Sequence, residues 1–301
     1  MENNNCSIVI NSCDGYEDIW KPFFSCFKDN WKNCPYPIFL NTEHKNYAHE
    51  GLNITALNVI KNKKIEWGER LLDCLSRIET EYVLMLFDDF CLEHEVNQSE
   101  IENCLQAMEK DENIDAFYID HLFPELMDGT DAKFVEVPIG KEYRLNSCPC
   151  IWRKSSLMKY TGKIDNAWAW EYFGTFRTEK AKASKIYALN ALPDLFPYNY
   201  KIGGAIHRGQ WVKSVIEPIN EKYNLNIDFS KRGFTDENYQ GNPTWWLIKF
   251  TFKGVRMVGP RALVYFKYIH PERVLIKKIL SLFGITIKRN PLRIVKLEEK
   301  K

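Results

Sequence analysis

No apolar run in the 301-residue chain approaches the roughly 18–20 residues a membrane-spanning helix needs, so no transmembrane segment is expected. From Met1 to Cys6 there is neither a basic stretch nor an apolar one, so a secretory signal is not expected and the reading is cytoplasmic. Nine cysteines lie between Cys6 and Cys150, with no C-x-x-C pair among them. Cys148 and Cys150, two apart, suit neither a zinc knuckle nor a thioredoxin-like motif. Cys74, Cys91 and Cys104 fall in apolar periodic stretches, where a free thiol packs as a small hydrophobe. Reduced, structural thiols are therefore expected. Internal repeats and low-complexity tracts are also missing. So is net charge, with 41 basic against 40 acidic side chains.

What is present is globular: 45% hydrophobic, 27% charged and 14% aromatic, which excludes a mainly disordered chain. The neutral total hides an asymmetry. From Lys253 to Lys301 there are thirteen Lys and Arg against three Glu, leaving 28 basic and 37 acidic residues before that point. An acidic body thus precedes a basic tail. Trp245, Trp246, Phe250, Phe252, Tyr265, Phe266 and Tyr268 alternate with Lys249, Lys253, Arg256, Arg261 and Lys267. Pro271 to Phe283 reads as a short helix stopped by Gly284. Two readings stay open: a face for the headgroup layer of an anionic membrane, or a solvated basic surface over a packed helix. Nucleic acid is disfavoured, because the acidic body would repel phosphates.

The first 120 residues alternate between strand and helix patterns. Cys6–Ile10, Tyr36–Leu40, Ile54–Ile60, Tyr82–Phe87 and Ala116–Ile119 read as strands. Tyr16–Trp31, Glu66–Ile78 and a segment capped by Ser99 and running to Lys110 read as helices. This is an α/β class with a mostly parallel, doubly wound sheet. Ligands of such sheets bind beyond the carboxyl ends of the strands. Asn11 to Asp14, Asn41 to Glu43, Asp88 and Asp89 should therefore gather along one edge. Later, Pro124 to Gly140 reads as a long loop, Tyr143 to Trp152 as extended, and Ser155–Tyr160 and Trp168–Arg177 as helical. One catalytic domain to about residue 240 is expected (donor half to about 120, acceptor half beyond), followed by a basic, helical appendage over 241–301.

Adjacent carboxylates at the end of the most apolar strand need a cation or donors to offset their repulsion. A hard divalent ion held by one or two carboxylates and ligand phosphates answers that need; so does a helix cap or a salt-bridged turn. Both side chains can act together only if the strand has already turned. Trp67-Gly68-Glu69-Arg70 through Asp88-Asp89-Phe90 resembles the helix-then-DxD segment of GT-A nucleotide-sugar glycosyltransferases, especially family-2 enzymes and those of bacterial surface polysaccharides. The resemblance covers roughly residues 6–215. It implies a GT-A-like, Rossmann-type sheet, with Asp88 on the donor ribose or sugar and Asp89 on Mn²⁺ or Mg²⁺. Phe90 departs from the motif, standing where its last Asp would be.

The same resemblance extends to later clusters. Ala167-Trp168-Ala169-Trp170-Glu171 is similar to the region holding the family's catalytic carboxylate, implying Glu171 as general base, with Trp168, Trp170 and Trp211 as faces for acceptor sugars. His207-Arg208-Gly209-Gln210-Trp211, after Gly203-Gly204, resembles a QxxRW-type segment, implying Arg208 on the diphosphate and His207 as a further metal ligand; Lys201 is another phosphate candidate. Asn11, Ser12, Asp14, Asn41, Glu43 and Arg70 take the family's donor-binding positions, with Thr42 between the last two loop residues. The implied activity is sugar transfer from a nucleotide-sugar donor to a glycan or lipid-linked glycan acceptor, inverting and metal-dependent, with peripheral membrane contact through the C-terminal region and no nucleic-acid partner. Two other classes stay open: a non-catalytic carbohydrate-binding or scaffold protein on a degenerate transferase fold, and another divalent-metal phosphotransferase.

Overall fold

A computed structural model of the chain describes residues 5–59, 65–126, 132–190, 192–200, 202–237 and 244–268. Lys201 and the helix expected over Pro271 to Phe283 lie outside the described residues. The chain divides into two compact units, Met1–Tyr239 and Gln240–Lys301.

The first unit is built on an eight-stranded sheet. Its strands are β1 (Cys6–Asn11), β2 (Ile38–Asn41), β3 (Ile54–Ala56), β4 (Tyr82–Phe87), β5 (Ile114–Tyr118), β6 (Phe134–Glu136), β7 (Cys150–Arg153) and β8 (Lys185–Leu189), in the order β3-β2-β1-β4-β7-β5-β8-β6. Pairings among β3, β2, β1 and β4, and between β5 and β8, are parallel; β7 runs antiparallel to β4 and β5, and β6 to β8. The mostly parallel α/β sheet implied by the alternating pattern is thus present.

Burial of both sheet faces explains why β4, YVLMLF, is almost continuously apolar. Tyr82, Leu84 and Leu86 enter one core with Ile19, Trp20, Phe23, Phe24 and Phe27 of helix α1 (Glu17–Asn30). Val83 and Met85 enter the other, with Leu71, Cys74 and Leu75 of α2 (Trp67–Ser76). Each such side chain contributes roughly 1.5–3 kcal/mol by leaving water. All nine cysteines are free thiols, seven of them buried.

The structure differs from the local reading at three places. Helix α3 (Gln98–Lys110) is capped by Asn97, whose side chain accepts the Glu100 N–H, rather than by Ser99. The stretch read as a long loop contains the edge strand β6, and β8 carried no signal beyond one short apolar run.

In the second unit a 15-residue helix, Thr244–Val258, leads into a 3-10 segment, Gly259–Tyr268. Gly259, at φ +74°, turns the chain between them. Phe250 packs on Trp246 and Tyr265, with ring centroids 4.7 and 4.9 Å apart.

Candidate active site

The strand order reverses between β1 and β4: β1 is followed by strands on one side and β4 lies on the other. Their carboxyl ends therefore flank a topological switch point, the usual ligand crevice of such sheets. Asn11 pairs in register with Phe87, which puts Ser12 beside Asp88. The Ser12 hydroxyl donates to Asp88 and accepts from the Trp20 indole N–H (2.6 Å). The chain has turned by this point, since the Phe90 N–H returns to the Phe87 carbonyl (3.2 Å). Phe90 itself points into the core, 6% exposed, its ring tilted against that of Tyr198 with centroids 4.5 Å apart.

Burial pushes Asp88 up to about 7, although Ser12 and the Arg232 charge oppose the shift. Burial and then the neighbouring Asp88 charge hold Asp89 well above the ordinary carboxylate range. Neither carboxyl forms an ion pair among the described residues. Gly204, at φ +111°, closes over Asp89 so tightly that a Cβ would lie 2.7 Å from its carbonyl oxygen and 3.0 Å from Oδ2. Two neighbouring carboxyls whose ionised forms are disfavoured by burial and by each other form a site where a bound cation would favour ionisation.

Beside them, the loops after β1 and β2 are tied together. Asp14 accepts the backbone N–H groups of Glu43 (3.0 Å) and His44 (3.0 Å), and its own N–H donates to Glu43 (2.6 Å). Glu43 then pairs with Arg70 of α2. On its other contact, Gly68 lets α2 approach the turn over 162–165: its N–H reaches the Asp165 carbonyl (2.9 Å), and a Cβ there would sit 2.1 Å from the Gly162 oxygen. Asn11 and Asn41 are register partners, two residues beyond Val9 and Phe39 on the α2 face. Asn41 is fully buried, yet neither of its amide atoms has a hydrogen-bond partner; Asn11 Oδ1 and Arg70 Nε are likewise unpartnered. Orphaned buried polar atoms are rare in native proteins and mark a place where a ligand or water completes them.

Across β7, Glu171 lies in a π-helical turn, Trp170–Gly174, between α-helical segments Ala167–Ala169 and Thr175–Thr178. Such turns cluster at functional sites. Ser147, just before β7, holds one Glu171 oxygen with both its N–H (2.9 Å) and its hydroxyl. Burial raises the Glu171 pKa and Ser147 opposes the rise. The Tyr200 phenol lies within electrostatic reach of Glu171, Asp120 and Asp89.

Sequence reasoning missed two residues here. Asp120, beyond the end of β5, is 7% exposed, accepts from the Cys148 thiol, and is raised by burial to about 7; its Oδ1 has no partner. The signal was available, because Asp120 follows an apolar strand as Asp88 does. The other is Arg232, whose charge Asp88 feels. It grips Asp18 through Nε (2.7 Å) and a terminal nitrogen (2.6 Å), donates to the carbonyls of Gly15 (2.7 Å) and Gly209 (3.2 Å), and lies over the rings of Tyr16 and Trp211.

The His207 cluster forms a two-stranded hairpin, Ile206–His207 with Gln210–Trp211. Arg208 (φ +52°) and Gly209 (φ +81°) fill its two-residue turn, and positive φ at both central positions suits a tight hairpin. Arg208 is exposed there, while the His207 ring donates to the Ile202 carbonyl. Of the three tryptophans expected to face acceptor sugars, Trp168 is 60% exposed, but Trp170 and Trp211 are fully buried. Trp170 donates to the Tyr160 carbonyl (3.2 Å) inside the core, and Trp211 packs edge-on against Phe229. Those two are packing residues, a correction to the expectation. No group of three or more His, Cys, Asp or Glu side chains able to hold a metal occurs among the described residues.

No family model matches the chain, and no curated protein matches it. Among solved structures, S. aureus TarS 1–349 is similar at 13% identity and TM-score 0.41, over 95% of this chain and 93% of that one. The same protein in complex with UDP-GlcNAc is 15% identical over 89% and 82% of the two chains, with TM-score 0.39. A CMP:2-keto-3-deoxy-manno-octonic acid synthetase complexed with CTP is 11% identical over 64% and 93%, with TM-score 0.34. At these identities and TM-scores the likenesses carry no functional weight, and the chemistry of the site rests on its own residues.

Proposed function

We propose that the chain is a glycosyltransferase that moves a sugar from a nucleotide-sugar donor to a glycan or lipid-linked acceptor, in the assembly of a bacterial surface polysaccharide. The observation that carries this reading is the Asp88–Asp89 pair at the switch point, without an ion pair and beside unpartnered Asn11, Asn41 and Arg70 atoms. Asn41 and Asn11 would read the nucleoside, and Glu43 with Arg70 would fix the loops around it. Asp89, with donor phosphate oxygens, would hold Mn²⁺ or Mg²⁺, whose charge would neutralise the leaving diphosphate.

The transfer is inverting in this reading. Glu171, oriented by Ser147, takes the proton of the acceptor hydroxyl. The acceptor oxygen forms a bond to the anomeric carbon as the bond from that carbon to the phosphate oxygen breaks, and the electron pair leaves on the nucleoside diphosphate. Arg208, on the hairpin turn, would meet the departing charge. Trp168 offers an exposed ring to the acceptor. A panel of nucleotide sugars screened by thermal shift, with and without Mn²⁺, tests the reading, because a ligand bound only by the folded state raises Tm with its occupancy. Metal-assisted stabilisation by one nucleoside diphosphate series is expected. Glycan binding with no response to any nucleoside diphosphate would instead indicate a carbohydrate-binding scaffold.

A further inference from the structure

We propose that the exposed face of the Thr244–Val258 helix docks on an anionic lipid surface, lying in its plane. This does not rest on the transferase reading. Trp245, Lys249, Phe252 and Arg256 are all exposed and are spaced by four, three and four residues, which puts them on one helical stripe. Trp245 is 58% exposed and Phe252 62%, and the Lys249 ammonium stands 4.7 Å from the Trp245 ring centroid. The opposite side is satisfied: Phe250, Thr251, Ala262 and Tyr265 are each buried. The stripe therefore alternates aromatic and cation on a face that no described residue of its own unit covers.

Charge selects the occupant. Between Thr244 and Tyr268 there are five Lys and Arg and no acidic residue. Aromatic rings at the level of the glycerol backbone, with cations among the phosphates, match that alternation. Leu263 and Val264, 47% and 46% exposed just beyond the helix, add aliphatic surface that a nucleic acid would not attract. No described helix is long and apolar enough to cross a membrane, so the helix would lie on the surface rather than span it.

Co-sedimentation of the full chain with vesicles of phosphatidylglycerol and phosphatidylcholine, against phosphatidylcholine alone, tests the proposal. Binding to the anionic vesicles only, weakening with salt and blue-shifting tryptophan emission, is expected. The Lys249→Glu/Arg256→Glu double variant should lower partitioning at least about tenfold, and Trp245→Ala/Phe252→Ala should do the same with unchanged circular dichroism and Tm. Binding unaltered by both double variants, or absent in wild type, would overturn it. So would concentration-dependent dimerisation abolished by Trp245→Ala/Phe252→Ala, which would assign the stripe to a second copy. RNA binding lost only in the charge-reversal variant would assign it to a polyanion without a bilayer.

Discussion

At pH 5 the Asp88 carboxyl is protonated in the folded protein and ionised in the unfolded chain, because burial lifts it from 3.8 to about 7. Its contribution to stability is therefore complete below about 4 and is lost as pH rises through about 7, where the unfolded state no longer gains by ionising alone. Asp120, raised to about 7 by the same cause, acts in the same direction. Thermal unfolding across this window should show Tm falling with pH, and Asp88→Asn should flatten the slope, matching wild type near pH 4 and exceeding it increasingly up to about pH 8. Arg232 gives a second test. Its truncation to Ala should cost about 2–3 kcal/mol in denaturant unfolding, since it leaves Asp18 and two carbonyls without their partner. Lys at that position should rescue little, because the bidentate grip on Asp18 needs the planar fork. Asp88 and Asp89 were legible because they end an apolar run. Arg232 was not, because its partner Asp18 lies 214 positions away and no local pattern links them. Trp170 and Trp211 were misread for a related reason: composition supplies rings but does not say which face the core.

Single elements hold the site's shape through backbone geometry. The loop before the hairpin presses Gly204 onto Asp89 at a positive φ, whereas Gly209 in the hairpin turn has open space around it. Gly204→Ala should therefore cost roughly 2–4 kcal/mol and weaken nucleotide binding, while Gly209→Ala should cost about 1 kcal/mol with binding retained. Unfolding curves and ligand-induced Tm shifts on the two variants separate these outcomes. Helices α1 and α2 and strand β4 were legible, because each carries an unbroken apolar period over ten or more residues or a wholly apolar run. The edge strand β6 and strand β8 were not. Each is five residues or fewer, and their pairing with each other is a tertiary contact rather than a local signal. The π turn at Glu171 is similarly silent in sequence.

On the scale of the whole molecule, the mostly parallel sheet brings residues far apart in sequence to one edge: Ser12, Asn41, Asp88 and Asp120 all follow or end parallel strands. Antiparallel β7 delivers Ser147 and Cys148 to that same edge, because it starts where β4 and β5 finish. The alternation of strands and helices foretold the convergence; the insertion of β7 between β4 and β5 was invisible to it. If the edge works as one site, its acidic members share the electrostatics of whatever binds there. The most direct measurement is calorimetric titration of a nucleoside diphosphate with Mn²⁺ into wild-type protein and Asp89→Ala near pH 7. Wild type should bind with proton release, as cation and ligand draw Asp88 and Asp89 into their ionised forms, and Asp89→Ala should bind at least about thirtyfold more weakly, a loss of about 2 kcal/mol. Equal affinity in the two proteins, with no metal dependence, would contradict the account.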